Sequence, residues 1–180
     1  MLAYLFWHEP GPDVDPDRYV GLLRDFHAVL HAAPPPAFVR SWSVRLERAP
    51  WDGGPAQPFE DWYLVEDWSA LGTLNEAAVR APRGQAHAAI AALATNGAGG
   101  LYALQHGTLD GPAPWIGWVA KPAGTPYAEF EPALRAAVDP AGGAVLRRQM
   151  VLGPAPEYAV LAQREPELPW AARATGPRAL

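Results

Sequence analysis

Residues 4–11, YLFWHEPG, carry four bulky apolar side chains, then His8 and Glu9, and end on a Pro-Gly pair. A short apolar and aromatic run that stops at Pro and Gly is typical of a buried β-strand. We therefore predict a strand over residues 2–8. His8 closes this strand, and the first question is whether it acts chemically at the mouth of a pocket or only ends the strand.

The segments that follow predict a complete structural unit. Asp15 and Pro16 predict the start of an amphipathic helix, which ends before the three prolines at 34–36. The next elements are predicted as strand 37–47, strand 59–68, helix 70–79, helix 84–95 and strand 100–107. The run Gly97–Gly100 is predicted as a helix C-cap and turn. The order β-α-β-β-α-β is that of the ferredoxin-like unit.

The remainder of the chain starts the same pattern again. It predicts a strand over 115–124, a helix over 125–138, and a hairpin over 143–153 and 156–163. The copies match in order through the pairs Phe6/Trp118, Pro10/Pro122, Tyr19/Tyr127, Phe26/Leu134 and Arg40/Arg147. Matches in every element indicate an internal repeat. The second copy lacks a second helix and a fourth strand, and its tail predicts only a short helix around residues 169–174.

Tandem βαββαβ units with aromatic strands resemble the dimeric α+β-barrel superfamily, which includes antibiotic-biosynthesis-type monooxygenases, EthD-like proteins, stress-responsive barrel proteins, muconolactone isomerases and haem-linked chlorite dismutases. The resemblance is one of element order and has no signature motif, so it concerns the fold more than the activity. It implies an α+β protein with an N-terminal ferredoxin-like half (1–110) and an abbreviated C-terminal half (111–180). Their antiparallel sheets would form an α+β barrel, and outer strands pairing between chains would give a homodimer.

The composition limits the partners. A net charge of −5 and a pI near 5.5 argue against nucleic acid or an anionic membrane as partner, since both favour basic proteins. No apolar run is long enough for a transmembrane helix, and the N-terminus lacks the pattern of a signal peptide. The absence of cysteine excludes disulfides and thiolate sites. We expect a soluble cytoplasmic protein whose partner is a small organic molecule.

His8 is the first candidate for chemistry. It shares one face of the first strand with Tyr4 and Phe6, because strand side chains alternate. If that face lines the barrel, His8 lies at its rim as a general base or ligand-orienting group, since imidazole titrates near neutrality. Tyr4 and Phe6 would then bind the ligand. The alternative is a solvated histidine at the end of a strand.

Arg40 lies within an apolar strand, where a guanidinium needs an anion. It can clamp a substrate carboxylate or enolate, or it can pair with Asp61 or Glu60 across the hairpin. Residues 59–68, FEDWYLVEDW, place Asp61 and Tyr63 on one face and Glu60 on the other. Such carboxylates can act as acid and base or can mark solvent at strand ends. Tyr63 is a candidate hydrogen-bond donor to a ligand.

The other histidines are assigned mainly to the surface. His27 and His31 are one helical turn apart, a spacing that suits zinc, but no third ligand is nearby and a solvated helix face is expected. His87 is expected on a helix surface, although in haem-binding relatives such a residue can ligate iron. His106 can face His8 if the first and fourth strands share the barrel face, which would make it a ligand-binding residue. No metal site is predicted.

These candidates support three functions. The first is a cofactor-independent monooxygenase or isomerase acting on a small hydrophobic or aromatic compound, with His8 as base, Arg40 as anion clamp, and Tyr63 or Trp42 as positioning group. The second is a non-catalytic ligand-binding or stress-associated barrel. The third is haem binding, for which the sequence has no anchoring motif and no basic cluster. No cofactor is predicted, and the sequence leaves open whether the protein is an enzyme.

Overall fold

The computed structural model describes all of residues 1–180. Its strands are β1 (Leu2–Pro10), β2 (Phe38–Arg45), β3 (Phe59–Val65), β4 (Ala94–His106), β5 (Trp115–Val119), β6 (Ala144–Arg148), β7 (Tyr158–Ala162), β8 (Ala172–Ala174) and β9 (Arg178–Ala179). Its helices are α1 (Pro16–Ala32), α2 (Trp68–Ala78), α3 (Gly84–Ala91) and α4 (Tyr127–Val138), the last followed by a 3-10 turn (Asp139–Ala141). None of the helices has the length and apolar character needed to span a bilayer.

All the strands belong to one antiparallel sheet in the order β8-β5-β7-β6-β4-β1-β3-β2-β9. The neighbours β4, β1, β3 and β2 come from the first part of the chain, which also contains α1, α2 and α3. Strands β5, β7 and β6 come from the second part, which contains α4. β4 pairs with β6 and joins the two groups. The predicted α+β class and the order of elements as far as β7 are confirmed.

The C-terminal segment pairs with strands at both ends of this sheet. Residues 172–174 pair with β5, and residues 178–179 pair with β2. Between them, the Thr175 N–H donates to the Ile116 carbonyl at 3.1 Å, and the Thr175 carbonyl accepts from the Glu47 N–H at 2.8 Å. The short helix predicted around 169–174 is wrong, because the unpaired backbone groups of an edge strand bind this segment as an additional strand.

β4 starts earlier than predicted and includes the glycine run. A Cβ atom at Gly97 would lie 2.9 Å from Phe6 Cζ, and a Cβ atom at Gly99 would lie 3.1 Å from Tyr4 Cε2. Larger residues at these positions would therefore crowd the two rings. The turn predicted for this run is wrong: the glycines are strand residues that give the aromatic rings of β1 room to lie across β4.

The two faces of the sheet bury different cores. One face carries a tryptophan cluster, which includes Trp7, Trp42, Trp62 and Trp118. The opposite face packs against the helices of the first part of the chain, with the buried residues Tyr19, Leu23, Phe26 and Leu30 of α1 lying against Phe59, Tyr63, Val65 and Leu101 of the sheet. A third and smaller core lies between α4 and the strands β5, β6 and β7.

β1 divides its side chains between the first two cores. Leu5 and Trp7 enter the tryptophan cluster, whereas Tyr4 and Phe6 pack on the helix-covered face. His8 shares that second face and is only 1% exposed. The alternative of a solvated histidine at the strand end is therefore wrong, and His8 does not point into the tryptophan-filled side of the sheet.

Candidate functional site

A cavity of about 610 Å³ lies between the sheet and the helices α2 and α3. Its walls are mostly apolar and include Tyr4, Phe6, Phe26, Tyr63, Leu74 and His87. We call it the aromatic cavity. Pockets that bind small organic molecules in proteins have volumes of roughly 300–1,000 Å³ and the same mixture of apolar walls with a few polar groups. The aromatic cavity is therefore a candidate ligand site.

Behind the wall of this cavity, the buried carboxylate of Asp61 collects polar groups from several elements. The Tyr63 hydroxyl donates to Oδ2 at 2.9 Å, and the Ser43 hydroxyl donates to Oδ1. His8 Nε2 lies 3.2 Å from Oδ2, which is close enough for an ionic contact although the geometry is not that of a hydrogen bond. His27 Nε2 lies 3.7 Å from Oδ1. We call these residues the Asp61 cluster.

Each histidine of the cluster also contacts a hydroxyl group. His8 Nδ1 lies 2.5 Å from the Tyr19 hydroxyl of α1. His27 Nδ1 lies 2.7 Å from Ser41 Oγ, and its Nε2 lies 2.8 Å from Ser43 Oγ. The residues come from α1, β1, β2 and β3, so the cluster ties the first helix to the sheet. The solvated helix face expected for His27 is wrong, because this ring is buried.

The directions of these hydrogen bonds follow from the carboxylate, which can only accept. Ser43 donates to Asp61, so Ser43 Oγ accepts from the Nε2–H of His27. His27 Nδ1 is then the accepting nitrogen for the Ser41 hydroxyl. These hydrogen positions are inferred from the partners, as tautomers must be. In this series of hydrogen bonds, from Ser41 through His27 and Ser43, every proton therefore points toward Asp61.

Burial and charge set the pKa values of the cluster. Burial alone raises the pKa of Asp61, but the electrostatic attraction of the nearby His8 imidazole and the polar contacts of both histidines outweigh it and hold that pKa well below its usual range. Burial, together with the Asp61 charge, raises the pKa of Tyr63 well above its usual value. At neutral pH Asp61 is an anion, and Tyr63 is a neutral hydroxyl that donates to it.

Glu60 lies on the opposite face of β3. Its two carboxyl oxygens accept from the indole N–H groups of Trp7 at 2.6 Å and Trp62 at 2.7 Å. Burial raises the pKa of Glu60 to about 7, although the two indole hydrogen bonds lower it. Because Glu60 and Asp61 are buried on different faces, they do not mark solvent at a strand end, and that interpretation of these two carboxylates is wrong.

A second and smaller cavity of about 210 Å³ reaches the Asp61 cluster from α1 and β2. Its lining includes Arg24, His27, Ser41, Ser43, Pro112 and Leu180. We call it the serine cavity. The cluster therefore lies between two cavities: Tyr63 lines the aromatic cavity, and His27 lines the serine cavity.

The structure gathers only some of the predicted site residues. Tyr4, Phe6 and Tyr63 line the aromatic cavity, and His8 lies behind them, with its ring stacked on Phe6 at a centroid distance of 5.1 Å. His87, expected on a helix surface, also lines this cavity and meets the edge of the Phe26 ring at 5.4 Å.

The other predicted residues lie elsewhere. Arg40 is exposed and donates to the Asp110 carbonyl, so the predicted pairing with Asp61 or Glu60 is wrong. Trp42 stacks on Trp62 in the tryptophan cluster, with ring centroids 5.6 Å apart, and it lines the serine cavity but not the aromatic cavity.

His106 Nε2 lies 2.5 Å from Asp139 Oδ1 near the C-terminal end of β4. His8 instead lies beside the N-terminal end of that strand, where its neighbours Trp7 and Glu9 pair with Ala98 and Thr95. A shared pocket of His8 and His106 is therefore wrong, because the two rings lie toward opposite ends of one long strand.

Sequence analysis missed two members of the cluster, His27 and Ser43, and also Tyr19, which contacts His8. It left His27 outside the site because the pattern of apolar residues on α1 placed this histidine on the solvent face. A usable signal was the alternation of Ser41 and Ser43, which puts two hydroxyl groups on the same face of the strand. Across the hairpin, Ser43 is the register partner of Asp61.

No group of three or more His, Cys, Asp or Glu side chains is arranged to hold a metal ion. The Asp61 cluster instead satisfies its charge with hydroxyl and imidazole groups.

No protein-family model matches the sequence, and no curated protein matches it. Among solved structures, the chain is similar to one described as a "Putative monooxygenase" from Fusobacterium nucleatum subsp. nucleatum ATCC 25586, with a TM-score of 0.64 and 10% identity over 89% of this chain and 74% of that chain. It is also similar to a chlorite dismutase from Candidatus Nitrospira defluvii, with a TM-score of 0.46 and 8% identity over 98% of this chain and 91% of that chain.

The first of these similarities supports the ferredoxin-like α+β fold that the order of elements predicts. At 10% identity it concerns the fold alone. The second similarity is too distant to bear on the argument. The functional interpretation therefore rests on the cavities and the Asp61 cluster.

Replacement of Asp61 by Asn tests the electrostatic role of the carboxylate. A group whose folded pKa is depressed stabilises the protein above its unfolded pKa, and this stabilisation is lost as the pH falls toward the folded pKa. For the wild-type protein we expect the free energy of unfolding to fall by an extra ~1.4 kcal/mol per pH unit below about pH 4. Asp61→Asn should lack this additional dependence of the unfolding free energy on pH, and it should be less stable than the wild type at pH 7 by about 3–5 kcal/mol.

Urea unfolding between pH 3 and pH 7 measures both effects. The control is Asp13→Asn, which removes an exposed carboxylate and should change the stability by less than about 0.5 kcal/mol. If the unfolding free energy of Asp61→Asn fell with pH as steeply as that of the wild type, the cluster would not hold the carboxylate in its charged form.

Proposed function

We propose that this protein binds a small hydrophobic or aromatic organic molecule in the aromatic cavity. The observation that carries the proposal is a cavity of about 610 Å³ with mostly apolar walls beside a few polar groups. Tyr4 and Phe6 offer aromatic surfaces to a planar ligand. The Tyr63 proton is committed to Asp61, so the Tyr63 oxygen offers lone pairs to a donor on the ligand.

The architecture we propose for this function is a fused pair of ferredoxin-like halves, 1–110 and 111–180, that closes into an α+β barrel. Support comes from the C-terminal segment, which pairs with β5 on one side and with β2 on the other. The tryptophan cluster, with residues from both parts of the chain, would fill the interior of this barrel. The ligand site would then lie outside the barrel, between the sheet and its helices.

The homodimer stays a proposal with one structural support. Only Val44 and Arg45 of β2 pair with β9. The rest of the outer edge of β2, with the exposed Val39, has no strand partner. A free edge of this kind is available for pairing with a second copy.

A second candidate function is catalysis in the same cavity, as a cofactor-independent monooxygenase or isomerase. It is favoured by His87, whose ring lines the cavity and makes no hydrogen bond within the chain. A neutral imidazole can take a proton from a ligand carbon or hydroxyl, while the Tyr4 hydroxyl, which also lines the cavity, donates to the ligand oxygen. This assigns the role of base to His87 and not to His8, which is separated from the cavity by Phe6.

Haem fits this cavity poorly. His87 could offer an axial nitrogen, but no Arg or Lys lines the aromatic cavity to pair with the propionates. Because no Arg or Lys lines the cavity, we do not propose Arg40 as a clamp for an anionic ligand. Its guanidinium donates to the Asp110 carbonyl outside this cavity. The lining favours a neutral ligand.

Replacement of Gly72 by Leu tests the binding site without harming the fold. Gly72 of α2 lines the aromatic cavity, and a Cβ atom there meets nothing within 4 Å. The Leu side chain should occupy part of the cavity and obstruct the ligand, and it should also raise the stability by up to about 1 kcal/mol, because glycine disfavours helix. Titration of 2-naphthol, followed by calorimetry, should show wild-type binding in the micromolar to millimolar range and at least a tenfold loss in Gly72→Leu.

The matched control is Gly21→Leu in α1, a helical glycine that also has open space around its Cβ position and does not line the cavity. It should gain stability and keep wild-type binding. Equal binding of 2-naphthol to all three proteins, or no binding to the wild type, would contradict the proposed site.

The catalytic candidate is tested by hydrogen exchange in 2-tetralone, an enolisable bicyclic ketone. In D₂O the wild type should speed deuterium incorporation at the carbon next to the carbonyl by about 100-fold over buffer, which is the contribution expected of one general base. His87→Gln should reduce this to the buffer rate. The control His106→Gln should retain it, because His106 pairs with Asp139 outside the cavity. A wild-type rate equal to buffer would leave the protein as a binding protein only.

A further inference from the structure

The serine cavity contains a feature that ligand binding in the aromatic cavity does not explain. Ser41 Oγ lies 2.7 Å from His27 Nδ1, and both residues line this cavity. Serine is activated as a nucleophile when its hydroxyl contacts one nitrogen of an imidazole and a carboxylate orients the ring through the other nitrogen.

We propose that Ser41, His27 and Asp61 form a nucleophilic site that hydrolyses small acyl esters in the serine cavity. Ser41 is the nucleophile, and His27 is its base. Asp61 orients His27, mainly through the Ser43 hydroxyl, which donates to Asp61 Oδ1 and lies 2.8 Å from His27 Nε2. The direct distance from His27 Nε2 to Asp61 Oδ1 is 3.7 Å.

The tautomer supports this assignment. Because the protons of Ser43 and His27 Nε2 point toward Asp61, His27 Nδ1 has its lone pair directed at the Ser41 hydroxyl. A base in the opposite tautomer would donate to Ser41 and could not take its proton. The buried anion also stabilises the imidazolium that forms when His27 accepts that proton.

The cavity limits the substrate. Its volume of about 210 Å³ suits a short acyl group, with the leaving alcohol directed outward. Arg24 lines the cavity and forms no ion pair in the structure. Its guanidinium is therefore available to bind the oxyanion that develops on the acyl oxygen.

The reaction balances with water as the only co-reactant. Ser41 Oγ forms a bond to the acyl carbon as its proton passes to His27 Nδ1. The ester C–O bond then breaks, and the leaving alcohol takes the proton from His27, which leaves acyl-Ser41. Water attacks the acyl carbon of this intermediate as it gives a proton to His27 Nδ1. The bond between the acyl carbon and Ser41 Oγ then breaks, His27 returns the proton to Ser41 Oγ, and the carboxylic acid is released.

The test uses 4-nitrophenyl acetate with the full chain. We expect release of 4-nitrophenol and an acetyl group on Ser41, located by peptide mass spectrometry. Ser41→Ala should lose the adduct and fall to the background rate, and His27→Gln should slow acylation by about 100-fold or more. The control Ser69→Ala removes an exposed hydroxyl on α2 and should leave acylation unchanged.

Circular dichroism verifies that each variant is folded. If Ser41→Ala does not fold, Ser41→Cys keeps both a nucleophile and nearly the same side-chain shape, and it should carry the acetyl group as a thioester. The proposal is overturned if acetylation occurs only elsewhere, if Ser41→Ala or His27→Gln reacts like the wild type, or if no protein exceeds the background. None of these results affects 2-naphthol binding, which takes place in the other cavity.

Discussion

The buried charge of Asp61 is the constraint on which the rest of the site depends. A carboxylate removed from water is strongly destabilising unless hydrogen bonds and opposite charge compensate it. Here the compensation comes from His8 of β1, Ser43 of β2, Tyr63 of β3 and His27 of α1. Each element must be in place for the charge to be tolerated, so the cluster specifies how the first helix sits on the sheet.

The same constraint gives the cluster its chemical character. Because a carboxylate only accepts, the hydroxyl and imidazole protons around Asp61 all point inward. The lone pairs of the Tyr63 hydroxyl oxygen are therefore available to the aromatic cavity, and His27 Nδ1 is available to accept a hydrogen bond from the Ser41 hydroxyl. One buried anion thereby polarises groups on two separate cavities, for which we propose an apolar ligand and a short acyl group.

Sequence analysis could predict the parts of this architecture that depend on local pattern. Apolar runs and Pro stops located β1 and β5, Asp15 and Pro16 located the start of α1, and alternation placed Tyr4, Phe6 and His8 on one face. Alternation also placed Asp61 with Tyr63 and apart from Glu60, as the two cores of the sheet require.

The remainder depends on contacts between distant segments. The strands β8 and β9 form because edges of the sheet are open to them, and nothing in the local sequence of residues 172–179 signals this. The glycines of β4 are typical of a turn in sequence, and only the packing of the β1 rings across them explains why they lie in a strand. His27 looked solvated because a polar residue is normally assigned to the exposed face of a helix. Only the carboxylate across the hairpin explains its burial.

The protonation of the two rings beside Asp61 tests this account most directly. Nitrogen-15 NMR of the histidine side chains reports which ring nitrogen carries the proton. The account predicts that Nε2 of both His8 and His27 is protonated and directed at the Asp61 cluster, with His27 Nδ1 accepting from Ser41. A neutral His8 or His27 with its proton on Nδ1 and a bare Nε2 would contradict it, because a lone pair would then face the buried anion.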